Sequence, residues 1–254
     1  MPGSARVTLY YDVISPWTRI ALEVLKRYQK PWNIDLQLKP VNIAYLMQAA
    51  TNKPPMSVPA KGAYMWSQDV LRSAQYYDVT LNRPSEFPVN TSYAQLFLRH
   101  ISDHSSATYR DKHIPAIDAC FAAVWSNDKR LLTPEQIYDA VGSLWSADQK
   151  DEVLKLIKES GSREHKDRLK AESASVAQES GAFGLPWIVI EKDGHTSTWF
   201  GSDRFEVSQL QYRYHNEAAW LIRSDASPSH SKSQLCSALS GKVLTPTADG
   251  ATSI

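Results

Sequence analysis

The chain has 254 residues, 43% of them hydrophobic, and its 28 Lys and Arg nearly balance 27 Asp and Glu. That leaves no cationic surplus for phosphate contacts, so nucleic acid is not an expected partner, and no apolar run approaches the roughly 20 residues that span a bilayer. The first residues lack the apolar stretch of a signal peptide, Thr252-Ser253-Ile254 is a poor peroxisomal tripeptide, and two cysteines (Cys120 and Cys236) cannot build a disulfide framework. A reducing, intracellular setting is therefore expected, with mitochondrial, peroxisomal and cytoplasmic locations all open.

Arg6 to Asp12 is short and rich in β-formers, which predicts a strand. It runs to Ser15-Pro16, a good N-cap followed by the residue favoured at the first helical position. Ile20, Ala21, Val24, Leu25 and Tyr28 then recur at helical spacing, and Ile34 to Pro40 alternates as a second strand. A connection of that length with a helix in it implies a parallel pair. Residues 42–62 are mixed, with rigid turns at Thr51 to Pro55 and Pro59 to Gly62. From there to about Ser180 the pattern is helical almost throughout, with capping boxes at Thr133 to Gln136 and Ser146 to Gln149. Lys166 to Gln178 is a charged helix with one solvated face.

Gly181 to Pro186 breaks the helix. Trp187 to Glu191 reads as a strand, Lys192-Asp193-Gly194 as a tight turn, and Thr196 to Phe200 as the hairpin partner. A last helix opens at Gly201-Ser202-Asp203-Arg204 and carries Phe205, Val207, Leu210, Tyr214 and Leu221. The order β-α-β, helical block, β-β-α is the thioredoxin topology, an α/β fold interrupted by a large inserted all-helical domain. The expected partition is 1–60 and 181–223 for the thioredoxin-like domain, 61–180 for the insertion, and 224–254 for a Ser-rich tail without periodicity. There is no internal repeat.

This topology gathers three segments at one end of the sheet, where α/β folds place ligands. Ser15 stands at a helix start, where unpaired N–H groups and the dipole favour an anion, so its hydroxyl could donate to a bound sulfur anion and lower a thiol's pKa. Alone, Ser15-Pro16 is an ordinary cap. Leu185-Pro186 precedes a strand, and a cis proline there leaves the backbone of Leu185 free to pair with an extended peptide. Ser202-Asp203 offers a helix start for a carboxylate and an acid for an amine. His100, His104 and Lys112-His113 lack metal-ligand spacing, so no metal is expected. There is no P-loop, no G-x-G-x-x-G and no G-x-S-x-G elbow. Trp66, Trp125 and Trp145 read as core.

Five motifs in order, Tyr10 to Trp17, Asn52 to Pro55, Lys61 to Met65, Gly181 to Pro186 and Phe200 to Arg204, resemble the kappa-class glutathione transferases. The resemblance covers residues 6–222 and extends to the 2-hydroxychromene-2-carboxylate isomerases of the same family. It implies a DsbA-like thioredoxin fold, a homodimer, and detoxification of small electrophiles with glutathione as substrate or cosubstrate and no further cofactor. It also implies that Ser15 hydrogen-bonds the glutathione sulfur, that Pro16, Trp17, Asn52, Leu185 and Pro186 hold the tripeptide, that Ser202 and Asp203 grip its γ-glutamyl end, and that Lys61 lies near its glycyl carboxylate. Thr18-Arg19 departs from the pattern, and Arg19 could line the rim of the site or pair with a substrate anion. The alternatives to conjugation are a glutathione-dependent isomerase and a non-catalytic glutathione or peptide-binding module. Dithiol exchange is excluded by hydroxyls at both positions, Ser15 and Thr18.

Overall fold

The structure is a computed structural model that describes residues 4–205. Four strands form one sheet: β1 (Ala5–Tyr11), β2 (Ile34–Pro40), β3 (Trp187–Lys192) and β4 (His195–Phe200), in the order β2-β1-β3-β4. Strand β1 pairs parallel with β2 (Leu9 opposite Leu38) and antiparallel with β3 (Leu9 opposite Ile188), and β3 pairs antiparallel with β4. The central position of β1 explains its burial: Val7, Leu9 and Tyr11 are all inaccessible. The β3–β4 hairpin closes through Asp193 and Gly194, both at positive φ (50° and 79°), as a two-residue primed turn requires.

Helix α1 (Pro16–Gln29) crosses from β1 to β2 and buries Ile20, Ala21, Val24 and Leu25. The predicted strand-helix-strand opening is therefore as read, parallel pairing included. Helix α2 (Ile43–Ala49) lies in the stretch read as mixed; Asn42 starts it by accepting from the backbone N–H of Ala44 and Tyr45. Next come α3 (Pro59–Tyr64), a π-helical turn over Met65–Asp69, and α4 (Val70–Tyr76).

The helical reading of residues 62–180 fails at 77–91, an irregular segment with Asp78 at positive φ and a cis peptide bond at Phe87-Pro88. Pro84 and Pro88 remove backbone donors, and Asn82 and Trp125 join the segment to the helices by an N–H to carbonyl bond of 2.8 Å. Beyond it lie α5 (Ser92–Ser102), α6 (Ala107–Arg110), α7 (His113–Trp125), α8 (Pro134–Val141), α9 (Lys150–Ser160) and α10 (Arg163–Ser180). At α8 only half of the expected capping box forms: Thr133 accepts from Gln136 N, but the Gln136 side chain accepts from Leu132 N. Helix α10 is charged outward as expected, burying Leu169 and Ser173, and the Ser173 hydroxyl accepts from Asn42 N at 2.9 Å.

The expected last helix opens later than read. Gly201 to Arg204 is an irregular turn, and Phe205 is the first helical residue. The remainder of that helix and the 224–254 tail lie outside the described residues, as does Cys236. No helix among the described residues is long and apolar enough to cross a membrane.

Candidate active site

The turn from β1 into α1 is held from several sides. The Ser15 side chain caps α1 by accepting from Thr18 N at 3.2 Å, and its hydroxyl donates to the Leu185 carbonyl at 3.4 Å. Ser15 is 4% exposed. Its own N–H donates to Asp12 O, and Pro16 occupies the first helical position. The Leu185-Pro186 bond is cis, and Pro186 O accepts from Gly201 N at 3.1 Å. The start of α1, the proline turn and the end of β4 are thereby joined.

Two residues that sequence reasoning passed over fix this turn. Asp12 is 1% exposed; one carboxylate oxygen accepts from Thr91 Oγ1 at 2.7 Å and Ile14 N at 3.2 Å, the other from Ile43 N at 2.9 Å. Burial raises its pKa, and these hydrogen bonds to the charged form oppose the rise. Gln95 of α5 donates to Tyr11 O (2.9 Å) and Val41 O (2.7 Å) and accepts from Val13 N (3.3 Å). Trp125 of α7 donates through Nε1 to Val13 O at 2.7 Å. The sequence signal for Asp12 was its place three residues before Ser15; Gln95, inside an amphipathic helix, gave none.

Ser15 faces a cavity of about 730 Å³. Ser15, Pro16, Trp17, Asn52 and Leu185 line it together with the apolar side chains of Met47, Met56, Met65, Phe87, Val89 and Phe200. Asn52 spans from the end of α2 to the proline turn, its Nδ2 donating to Phe183 O at 2.7 Å. Gly184 beside it has no room for a side chain, since a Cβ there would stand 2.9 Å from the Phe200 ring.

Of the residues singled out from sequence, Ser15, Pro16, Trp17, Asn52 and Leu185 line one cavity. Lys61 is exposed on α3 and does not line it. Ser202 is 1% exposed and caps no helix; its hydroxyl has no partner among the described residues. Asp203 is exposed and paired with Arg204 at 2.7 Å. Arg19 does not reach the rim: it pairs with Glu23 at 2.7 Å and packs over Phe121, 5.9 Å from its centroid, because α1 turns that position toward α7. His100 and His113 lie on helix faces and are packed there. His100 meets the His165 ring at 4.3 Å, and His113 Nε2 meets Tyr11 OH at 3.1 Å. Burial pushes both down to about 4. Burial likewise pushes the Cys120 thiol up to about 12, which leaves it inert. No group of three metal-binding side chains occurs among the described residues.

A parallel-antiparallel sheet with a capped helix start facing a cis proline defines a thioredoxin-type site, and residues 6–213 match the DSBA-like thioredoxin domain family, to which the chain belongs. Human glutathione S-transferase kappa 1 is 34% identical over 208 residues, covering 81% of this chain and 90% of that protein. The rat protein of the same name is 31% identical over 211 residues, with 81% and 90% covered. Within its family the chain thus belongs with the kappa-class glutathione transferases, and it is an enzyme of the transferase class. The solved structure of 2-hydroxychromene-2-carboxylate isomerase shares the fold, with a TM-score of 0.60 at 20% identity over 85% of this chain and 98% of that one.

Proposed function

We propose that the chain conjugates the glutathione thiolate to small electrophiles, with Ser15 as the donor that holds the sulfur anion. The observation that carries this reading is the Ser15 hydroxyl, which caps α1, points its proton at Leu185 O and borders the cavity. A tripeptide laid along the proline turn would pair with the Leu185 carbonyl through its own N–H, which frees the hydroxyl to turn toward sulfur. The positive end of α1 adds to the field felt there. Each unit of thiol pKa depression corresponds to about 1.4 kcal/mol in favour of the thiolate.

The step needs no protein base. The thiol proton passes to water as glutathione binds, the thiolate lone pair forms the carbon–sulfur bond, and the leaving group departs with its electron pair. The apolar wall receives the electrophile by its carbon skeleton. The homodimer implied by the resemblance belongs to the same reading, and a sedimentation mass equal to one chain would remove it.

The thiolate absorbance of bound glutathione, titrated with pH, tests the role of Ser15. The apparent pKa should rise by about one to two units in Ser15→Ala, with kcat/KM at neutral pH down about 10- to 100-fold. An unchanged pKa in a variant that still binds glutathione would take Ser15 out of the mechanism.

A further inference from the structure

Next to the cavity lies a second chamber of about 600 Å³, bounded by Met56, Pro59, Ala63, Trp66, Ser67 and Arg83. Met56 belongs to both spaces. Its thioether rests on Gly62, where a Cβ would stand 3.1 Å from Met56 Cε and 3.2 Å from Sδ. A bare glycine at that position is what lets the side chain lie there. Methionine is unbranched with three rotatable bonds, so this partition can move at small cost. The other border is aromatic: Phe87 on the cavity side meets Trp66 on the chamber side edge-on, with centroids 4.8 Å apart at 82°.

Arg83 is the one charged side chain of the chamber. Its guanidinium stands 5.1 Å from the centre of the Trp66 ring. Among the described residues it has no carboxylate partner, and the acid closest in sequence, Glu86, is already paired with Arg130. The chamber therefore presents apolar walls, a flat indole and a guanidinium left available for an anion.

We propose that the second chamber receives the far end of the electrophile, and that Arg83 binds a carboxylate carried there. The substrate class is an elongated, apolar, aromatic electrophile with its anionic group remote from the reacting carbon. This rests on the reading of Ser15 as the sulfur site. With sulfur beside Ser15 and the peptide toward Asn52 and Leu185, the remaining path runs along Met65 and Phe87 and past Met56 to Arg83. The chamber is open to solvent, so the charge pair is worth a modest factor rather than orders of magnitude.

Isothermal titration with two glutathione conjugates tests it: a biphenylmethyl conjugate with a terminal carboxylate, and its isostere with a nitro group in that position. The carboxylate conjugate should bind the full-length protein about fivefold more tightly, a ratio equivalent to about 1 kcal/mol. Arg83→Gln should bring the ratio of the two dissociation constants close to one, and Arg83→Lys should keep most of it. Because the readout is a ratio within one protein, a general loss of folded material does not imitate the result. A ratio near one in the wild type, or one unchanged in Arg83→Gln, overturns the Arg83 site and leaves glutathione binding standing. Failure of both conjugates to bind overturns the Ser15 reading and this inference together.

Discussion

The Ser15 side of the cavity and its methionine-rich lining are held by different physics. Around Ser15 the backbone from Tyr11 to Val13 is tied by the side chains of Gln95 and Trp125, and Asp12 ties it in turn to Thr91 and Ile43, with distances between 2.7 and 3.3 Å. Each tie comes from an inaccessible or nearly inaccessible side chain. Elsewhere around the cavity Met56 and Met65 face the space with Phe87 and Val89, and what shapes them is packing without direction. A wall of directed hydrogen bonds fixes one atom in one place, as a sulfur anion needs. A methionine wall accepts many shapes, as a set of electrophiles needs.

The sharpest way to break that contrast is to remove a tie from the rigid side. Trp125 is fully buried, joins Trp66 and Phe87 in an aromatic cluster, and holds Val13 O. Trp125→Ala should cost about 4 kcal/mol of stability, from the cavity left and from the carbonyl deprived of its donor. Urea denaturation measures it, and a loss under about 1 kcal/mol would show that the tie is dispensable.

A smaller loss is expected at Asp12. In Asp12→Ala the N–H groups of Ile14 and Ile43 and the hydroxyl of Thr91 lose their acceptor, at a cost of about 2 kcal/mol. The pH course of wild-type stability carries an opposite signature at this residue. Its carboxyl is raised in the folded state, so the folded protein holds that proton more tightly than the unfolded chain, and stability falls as pH rises from the ordinary carboxylate value toward the raised one. Asp12→Asn should remove that slope. A slope that persists in the variant assigns it to another group.

His113 and His100 act in the other direction. Both are pushed from 6.5 down to about 4 in the folded protein by burial, while the unfolded chain binds their protons near 6.5. Their neutral forms therefore contribute stability above that value, and it is lost as pH falls from about 6.5 toward 4. Since His113 also bonds Tyr11 beside the Ser15 turn, acid should loosen the rigid side first. His113→Gln should flatten the fall in the melting temperature across this window relative to wild type. An unaltered acid limb would shift the effect onto His100.

How much of this could be read from sequence follows the same division. The rigid side was legible because its parts have local signatures: Ser15-Pro16 as cap and first helical residue, β-branched strands, and a glycine-rich break before Leu185-Pro186. Ser202-Asp203 misled, since a small polar pair before an apolar run looks like a helix start, while the chain turns once more before Phe205. Gln95 was hidden because its partners are backbone groups of β1 and the residue after β2, more than fifty residues away in the chain. The methionine lining was hidden for a related reason: methionines and a proline-bearing loop carry no period, and only the packed fold says which of them face a common space.

The smallest expected effect lies in that wall. Phe87 is half-buried, with its ring against Trp66 and Trp125 and one side lining the cavity. Phe87→Leu keeps an apolar side chain but removes the flat edge, so stability should change by about 1 kcal/mol. The kinetic effect should fall on KM for the electrophile, up about threefold for aromatic electrophiles and less for aliphatic ones. Steady-state kinetics with each substrate varied in turn separates this from damage to the peptide side. If KM for glutathione rises as much as KM for the electrophile, the two walls are coupled, and the division drawn between a directed side and an adaptable one fails at the aromatic cluster that joins them.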